Sequence, residues 1–196
     1  MKSVFFKGLE LKVFPTVYEP SEDSFLLAEN ASIPKDSTAL DLGTGSGIQG
    51  INAALLGTSR VVCTDVNAKA LENAKGNAGR LVPQTEFEFR QGSLLEPVAG
   101  EKFDAIIFNP PYVASEGKKF RDLDGGKRGR EVLDGFLAGF AAHLKEGGKC
   151  FFLQTGLNGE GETGKILGKQ GLEFEVVARK RLFFEELLVF RAWKRV

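Results

Sequence analysis

Short apolar runs and stretches of helical spacing alternate along most of this chain. Apolar-rich runs of strand length fall at 38–42, 60–65, 85–90, 103–108, 148–154, 172–178 and 186–192. Between most of them, at 47–56, 68–79, 130–145 and 160–170, apolar residues recur at helical intervals. This alternation predicts an α/β fold with a doubly wound, seven-stranded, mostly parallel sheet. The run CFFLQ is apolar almost throughout, as expected of a strand covered on both faces. The last two runs are joined by a short loop, which predicts an antiparallel pair. Ahead of the alternation, SVFF-KG-LELKVF reads as a small hairpin turning at Lys7 and Gly8, and Ser21 with Glu22 and Asp23 reads as a helix start. Residues 1–30 are thus expected to form a hairpin and helix within the same domain as the sheet of residues 31–196.

Composition narrows the possible functions. The 196 residues suffice for one domain with a real core, and 26 Lys+Arg balance 26 Asp+Glu. A chain held on nucleic acid by bulk charge would be basic, so no stable nucleic-acid binding is expected. Two local clusters, at 118–130 and from Arg179 to Arg195, read as solvated charges beside neighbouring acids. Cys63 and Cys150 lie inside predicted strands and predict buried free thiols. The single histidine, His143, is expected on an apolar helix face with Phe136, Phe140 and Leu144, which supports neither a metal site nor a Ser-His-Asp triad. The first residues alternate and carry charge, so neither a signal peptide nor a membrane span is expected, and a cytoplasmic location is.

In doubly wound sheets ligands bind at the carboxyl ends of the strands. After the first run comes ALDLGTGSGIQG, with Asp41 ahead of Gly43, Gly45 and Gly47. Counted from Gly45 the spacing through Gly50 matches a dinucleotide fingerprint, so the register alone does not exclude NAD. An acid two residues before the first glycine would repel a pyrophosphate but attract an ammonium group. S-adenosyl-L-methionine carries an ammonium and a sulfonium and no phosphate. The second run ends in Asp65, about twenty residues past the glycines, where a carboxylate can bind both hydroxyls of a ribose; it could equally cap the next helix. After the third run, Ser93 and Leu94 stand where an adenine would be contacted.

The fourth run, AIIF, stops abruptly at Asn109, Pro110, Pro111 and Tyr112. An amide or amino nitrogen conjugated to a π system is a poor nucleophile because its lone pair is delocalised. Two acceptors can grip its N–H groups and turn the lone pair toward a methyl donor. The Asn109 side-chain oxygen and the Pro110 carbonyl supply these, Tyr112 can stack on the flat group, and the Pro111 ring stiffens the turn. Such catalysis rests on positioning and needs no activated base.

With these motifs the chain resembles the class I S-adenosylmethionine-dependent methyltransferases, and within them the HemK-related enzymes that methylate a glutamine of peptide-chain release factors. VYEPSEDSFLL, residues 17–27, and GGKRGREVLDGF, residues 125–136, resemble the stand-alone eukaryotic and archaeal branch. The resemblance implies cofactor contacts from Ser24, Asp41, Gly43, Gly45, Asp65, Ser93, Leu94 and Asn109, with the helix of residues 1–30 covering the cofactor. It implies substrate amide contacts from Asn109, Pro110 and Tyr112. Ser93 stands where the family usually has Asp. The implied substrate is the glutamine of the Gly-Gly-Gln motif in a class I release factor. The resemblance also implies a small zinc-binding activator subunit, expected to add to strand 85–90 if that strand forms an exposed edge. Nucleic-acid bases, methylated by adenine and guanine methyltransferases that share the Asn-Pro-Pro-Tyr motif, are the rival substrate; a non-catalytic binding scaffold is a further alternative.

Overall fold

The computed structural model describes residues 1–113, 125, 126 and 128–195. Lys118, Lys119, Arg121 and Lys127 of the first basic cluster lie outside the described residues. The chain opens with a hairpin, β1 (Lys2–Phe6) and β2 (Leu9–Val13), followed by α1 (Glu22–Asn30). Lys7 and Gly8 both take left-handed backbone angles, φ 49° and 77°, the geometry of a tight two-residue turn. Then come β3 (Thr38–Leu42), α2 (Ile48–Leu55), β4 (Arg60–Asp65), α3 (Ala68–Leu81), β5 (Glu86–Gln91) and β6 (Phe103–Phe108). The remainder is α4 (Glu131–Leu137), β7 (Leu144–Thr155), α5 (Glu160–Lys169), β8 (Leu172–Arg181) and β9 (Glu186–Lys194).

Seven strands form one sheet in the order β5-β4-β3-β6-β7-β9-β8, in which β9 runs antiparallel to both its neighbours. From β3 the chain winds outward through β4 to β5, then crosses back to β6 on the other side of β3. The switch point therefore lies between β3 and β6, and a cleft must open at their carboxyl ends. Alternation along the strands splits the core into two layers. Leu40, Ile106, Phe108, Phe152 and Phe190 face α4 and α5, while Ala39, Cys63, Ile107 and Val189 face α1 and α2. Cys63 and Cys150 are free and buried.

The hairpin is clasped to the body by two asparagines of α3. Asn73 Nδ2 donates to the Lys12 carbonyl at 2.7 Å, and its Oδ1 accepts from the Phe14 N–H at 2.8 Å. Asn77 Nδ2 donates to the carbonyls of Lys12 and Ser46, at 2.8 and 2.9 Å. Phe6 and Leu11 of the hairpin share a core cluster with Ile48, Ile51 and Ala78. Helix α1 is held by α2, where Gln49 Nε2 donates to the Ser24 carbonyl and Asn52 Nδ2 to the Ala28 carbonyl, at 2.9 and 2.8 Å. These bonds fix α1 as a roof over the cleft.

One element departs from the pattern. The helix expected over 130–145 ends at Leu137, and β7 begins at Leu144. Gly135 lies within the helix and Gly139 just past its end, each facing a side-chain tip of Leu94 or Leu95. Two glycines weaken helix propensity by about 1 kcal/mol each, and here they admit the loop after β5. His143 accordingly sits in a short 3-10 turn, with Nδ1 3.0 Å from the Glu101 carbonyl. Among the described residues, no helix is long and apolar enough to cross a membrane.

Candidate active site

A cavity of about 460 Å³ lies where the topology predicts, at the carboxyl ends of β3, β4, β5 and β6 beneath α1. Its volume suits a nucleoside-sized ligand. Gly43 and Gly45 form its floor, at φ 63° and 54°, values that side chains of L residues resist. Apart from its chain neighbours, no heavy atom of the described residues lies within 4 Å of a Cβ placed on Gly45, so the loop leaves its backbone open to a ligand. Gly50, by contrast, is a packing position: a Cβ there would meet Cys63 Sγ, Asp41 Oδ2 and Val61 at 3.1–3.2 Å, so its absence lets α2 lie close on the sheet.

Asp65 stands on the wall at the end of β4. Its Oδ2 accepts from the Gly45 N–H at 3.0 Å and its Oδ1 from the Asn67 N–H at 2.9 Å. The helix cap is Asn67, whose Oδ1 accepts from the Lys69 N–H, so Asp65 does not serve as the cap. Ser93 and Leu94 follow β5 on the same wall. Leu94 is held at φ 45°, a left-handed angle that costs a non-glycine residue about 1–2 kcal/mol.

Asp41 departs from expectation. It is 1 % exposed and lies behind the glycine loop, off the cavity wall. Its Oδ2 accepts from the Thr44 hydroxyl at 2.7 Å and the Gly50 N–H at 2.9 Å. Burial in the apolar layer raises its pKa from 3.8 to about 7, against the opposing pull of those two bonds. Asp41 braces the loop and does not touch the space that a ligand would fill.

Opposite the glycines, Asn109, Pro110, Pro111 and Tyr112 line the cavity below the roof residues Tyr18, Asp23 and Ser24. Asp23, 1 % exposed, gathers this region together. Its Oδ2 accepts from Asn109 Nδ2 at 3.1 Å, from the Tyr112 hydroxyl at 3.1 Å and from the Tyr18 hydroxyl at 2.9 Å. A carboxylate only accepts, so the Asn109 amide must turn its NH₂ toward Asp23. Asn109 Oδ1 is left buried, with no partner among the described residues. A buried acceptor without a donor is costly, which makes this oxygen a ready partner for an incoming N–H.

The exit of the motif is secured as well. Asn158 Nδ2 donates to the Tyr112 carbonyl at 3.0 Å and to the Gly129 carbonyl at 3.1 Å. Gly129 passes so near the Tyr112 carbonyl that any Cβ would collide with it. Arg130, 2 % exposed, locks this crossing by donating to Thr163 Oγ1 at 3.0 Å, to Asp134 and to the Asn158 carbonyl.

A profile of the methyltransferase small domain matches residues 20–184, which span both walls of the cavity. The chain belongs to this family. It is 41 % identical over 194 residues to a protein of Methanocaldococcus jannaschii provisionally named a protein N5-glutamine methyltransferase, covering 96 % of this chain and 97 % of that one. It is 31 % identical to human methyltransferase HEMK2, covering 92 % and 91 % of the two chains. Among solved structures it is similar to that of the E. cuniculi Mtq2–Trm112 complex, described as responsible for methylation of the translation termination factor eRF1. The TM-score there is 0.72, with 26 % identity over 92 % of this chain and 99 % of that one. S-adenosyl-L-methionine is the cofactor of this methyltransferase, and the open glycine backbone, the wall carboxylate and a lining without Lys or Arg among the described residues are compatible with it.

Three residues of this methyltransferase site escaped the sequence reading: Asp23, Tyr18 and Asn158. Asp23 passes for a helix-dipole acid, yet Asp23, Ser24, Leu27 and Ala28 are the buried positions of α1. That spacing places Asp23 on the inward face and could have exposed it. Ser21 does not cap α1 with its side chain; its hydroxyl donates to Asp23 Oδ1 at 2.9 Å instead. The Tyr18 and Tyr112 hydroxyls both have pKa values raised, by burial first and by the Asp23 carboxylate second. Both phenols therefore stay neutral donors, and neither is a base for the reaction.

Proposed function

We propose that this enzyme transfers a methyl group from S-adenosyl-L-methionine to the side-chain amide nitrogen of a protein glutamine, the glutamine of the Gly-Gly-Gln motif in a class I peptide-chain release factor. The single observation that carries this reading is Asn109 Oδ1, buried, without a partner among the described residues and held in that orientation by Asp23. In the proposed arrangement this oxygen and the Pro110 carbonyl each accept one N–H of the substrate amide. That pairing favours the rotamer in which the nitrogen lone pair faces the methyl group, and Tyr112 stacks on the amide plane. Asp65 binds the ribose hydroxyls, the glycine loop passes beneath the methionyl portion, and Ser93 with Leu94 contacts the adenine. The bound cofactor supplies the electrophilic methyl on a sulfonium. Residues 1–30 serve as a cover and residues 31–196 as the catalytic body. The names of the relatives support the choice of substrate.

We further infer a small zinc-binding activator subunit paired with the outer edge of β5. Support comes from the two-chain composition of the Mtq2–Trm112 structure and from the place of β5 at the end of the sheet, with β4 on one side and no strand on the other among the described residues. The test of function is incubation with labelled S-adenosyl-L-methionine and a class I release factor. Label should enter the intact factor and not one whose Gly-Gly-Gln glutamine is replaced by Ala; equal labelling of both would overturn the reading.

A further inference from the structure

The turn between β8 and β9 is closed by the Leu182 N–H donating to the Glu185 carbonyl at 2.8 Å. Its two central residues are phenylalanines, Phe183 and Phe184, at 92 % and 86 % exposure. Their rings meet edge to face, with centroids 4.6 Å apart. Turns of this kind are ordinarily built from Gly, Asn, Asp or Ser, and nothing in the backbone here asks for aromatic rings. A phenylalanine presents about 150–250 Å² of surface, so the pair alone approaches the largest apolar patch of a typical monomer, and such patches mark interaction sites.

The location of this pair is informative. Leu182 points inward and packs in the same cluster as Tyr112. Lys180 forms an ion pair with Glu22, the chain neighbour of Asp23. Glu185 is half-buried, and its carboxyl is raised first by burial and then by the charge of Asp23, so it faces the roof of the active site. Leu157, 78 % exposed, lies on the turn after β7 beside Asn158, the residue that holds the Tyr112 carbonyl. The exposed apolar side chains thus stand at the rim of the opening that the acceptor must enter. Of the three cations on this hairpin, Arg179 pairs with Glu160 and Glu186 and Lys180 with Glu22, while Arg181 is exposed. Against these three cations stand Glu22, Glu160, Glu185 and Glu186, so among the described residues the hairpin offers no net positive charge to a phosphate backbone.

We propose that Phe183 and Phe184, with Leu157, form a docking ledge for the protein that carries the acceptor glutamine, gripping apolar side chains outside the loop that enters the cavity. The proposal rests on the function proposed above. A glutamine side chain and its adjoining residues reach only the cavity, whereas a folded partner also meets the rim. Binding there is the same before and during methyl transfer, so it acts on KM and leaves kcat in place.

The experiment compares wild type with the F183S/F184S double variant on an intact class I release factor and on a short Gly-Gly-Gln peptide. Exposed aromatic anchors of this kind dominate interfaces, so KM for the intact factor should rise at least about tenfold. Its kcat, the kinetics on the peptide, cofactor affinity and the thermal midpoint should stay unchanged. The F183L/F184L variant should recover most of the lost affinity. An unchanged KM for the intact factor overturns the ledge, and so does an equal loss on factor and peptide, which would give the turn a structural role. Weaker binding of a single-stranded oligoribonucleotide by the double variant, with unchanged KM for the factor, would reassign the ledge to nucleic acid. Failure of the wild type to methylate the factor at all overturns the proposed function itself, an outcome separate from a methylating enzyme that is indifferent to the two serines.

Discussion

Asp23 and Asn109 divide the labour of the site between a residue that meets the substrate and one that aims it. Asn109→Ala removes the acceptor and is expected to lower kcat by about 10²–10³ while cofactor affinity, measured by calorimetry, is largely kept. Asp23→Asn leaves the acceptor in place but offers it an amide that can donate as well as accept, so the Asn109 side chain is free to turn over. Its kcat should fall on the order of 10- to 100-fold with little change in cofactor affinity, a pattern that a merely structural role would not produce. Asp41 behaves differently because its charge is buried. Its folded pKa of about 7 exceeds its ordinary 3.8, so the folded chain holds a proton that the unfolded chain releases. Stability from this group is therefore full below pH 4 and is lost as pH rises toward 7. Asp41→Asn keeps an acceptor for the Gly50 N–H, and its thermal midpoint should vary less with pH between 4 and 7 than that of wild type. A parallel profile for the two proteins would mean that Asp41 is ionised when folded. The sequence showed both carboxylates without showing which one the cavity would see. Spacing places Asp41 beside the glycines, but only the strand's alternation, with Asp41 on the α2 face beside Cys63, determines that it points behind the loop.

At the level of elements, hydrophobic alternation located every strand of the sheet, and the halt of β6 at two prolines marked the catalytic end. Two features were hidden. The shortening of α4 depends on Gly135 and Gly139 meeting Leu94 and Leu95, a contact between segments far apart in sequence. The crossing of Gly129 over Tyr112 likewise depends on Arg130 and Asn158, which look like ordinary loop residues until the fold brings them together. Phe87 and Phe89 are half-buried and pack against Ala78 and Val82 of the α3 layer, while Glu88 on the opposite face is paired with Arg60 and Arg90. Both faces are therefore occupied, and what β5 can offer a partner is its outer row of backbone groups. Successive N–H groups point to opposite sides of a strand, so one of Glu88→Pro and Phe89→Pro removes an outward donor while the other breaks the ladder to β4. The outward variant should remain folded by circular dichroism and fail to co-purify with the activator subunit. Retention of the subunit by that folded variant would place the interface elsewhere.

For the molecule as a whole, a cofactor bound only by the folded state adds to stability by mass action. At a hundredfold excess over its dissociation constant the gain is about 2.7 kcal/mol, or several degrees in the thermal midpoint of a domain this size. Asp65→Ala, which loses charge-assisted bonds worth about 1.5–3 kcal/mol each, should show at least tenfold weaker binding and little of that thermal shift. A full shift in the variant would remove Asp65 from the cofactor site. Helix α1 carries a further consequence. The roof over the cavity is synthesised ahead of the sheet, yet Glu22 is tied to Lys180 on β8, and α1 rests against β7, β8 and β9 as well as α2. At about 5–20 residues per second, the ribosome takes roughly 8–30 s to go from α1 to the strands that hold it. During that interval Asp23 has neither Asn109 nor Tyr112 properly seated beside it. An enzyme proposed to act on the machinery that ends translation would thus be unable to orient an acceptor amide until its own β8 and β9 have left the ribosome.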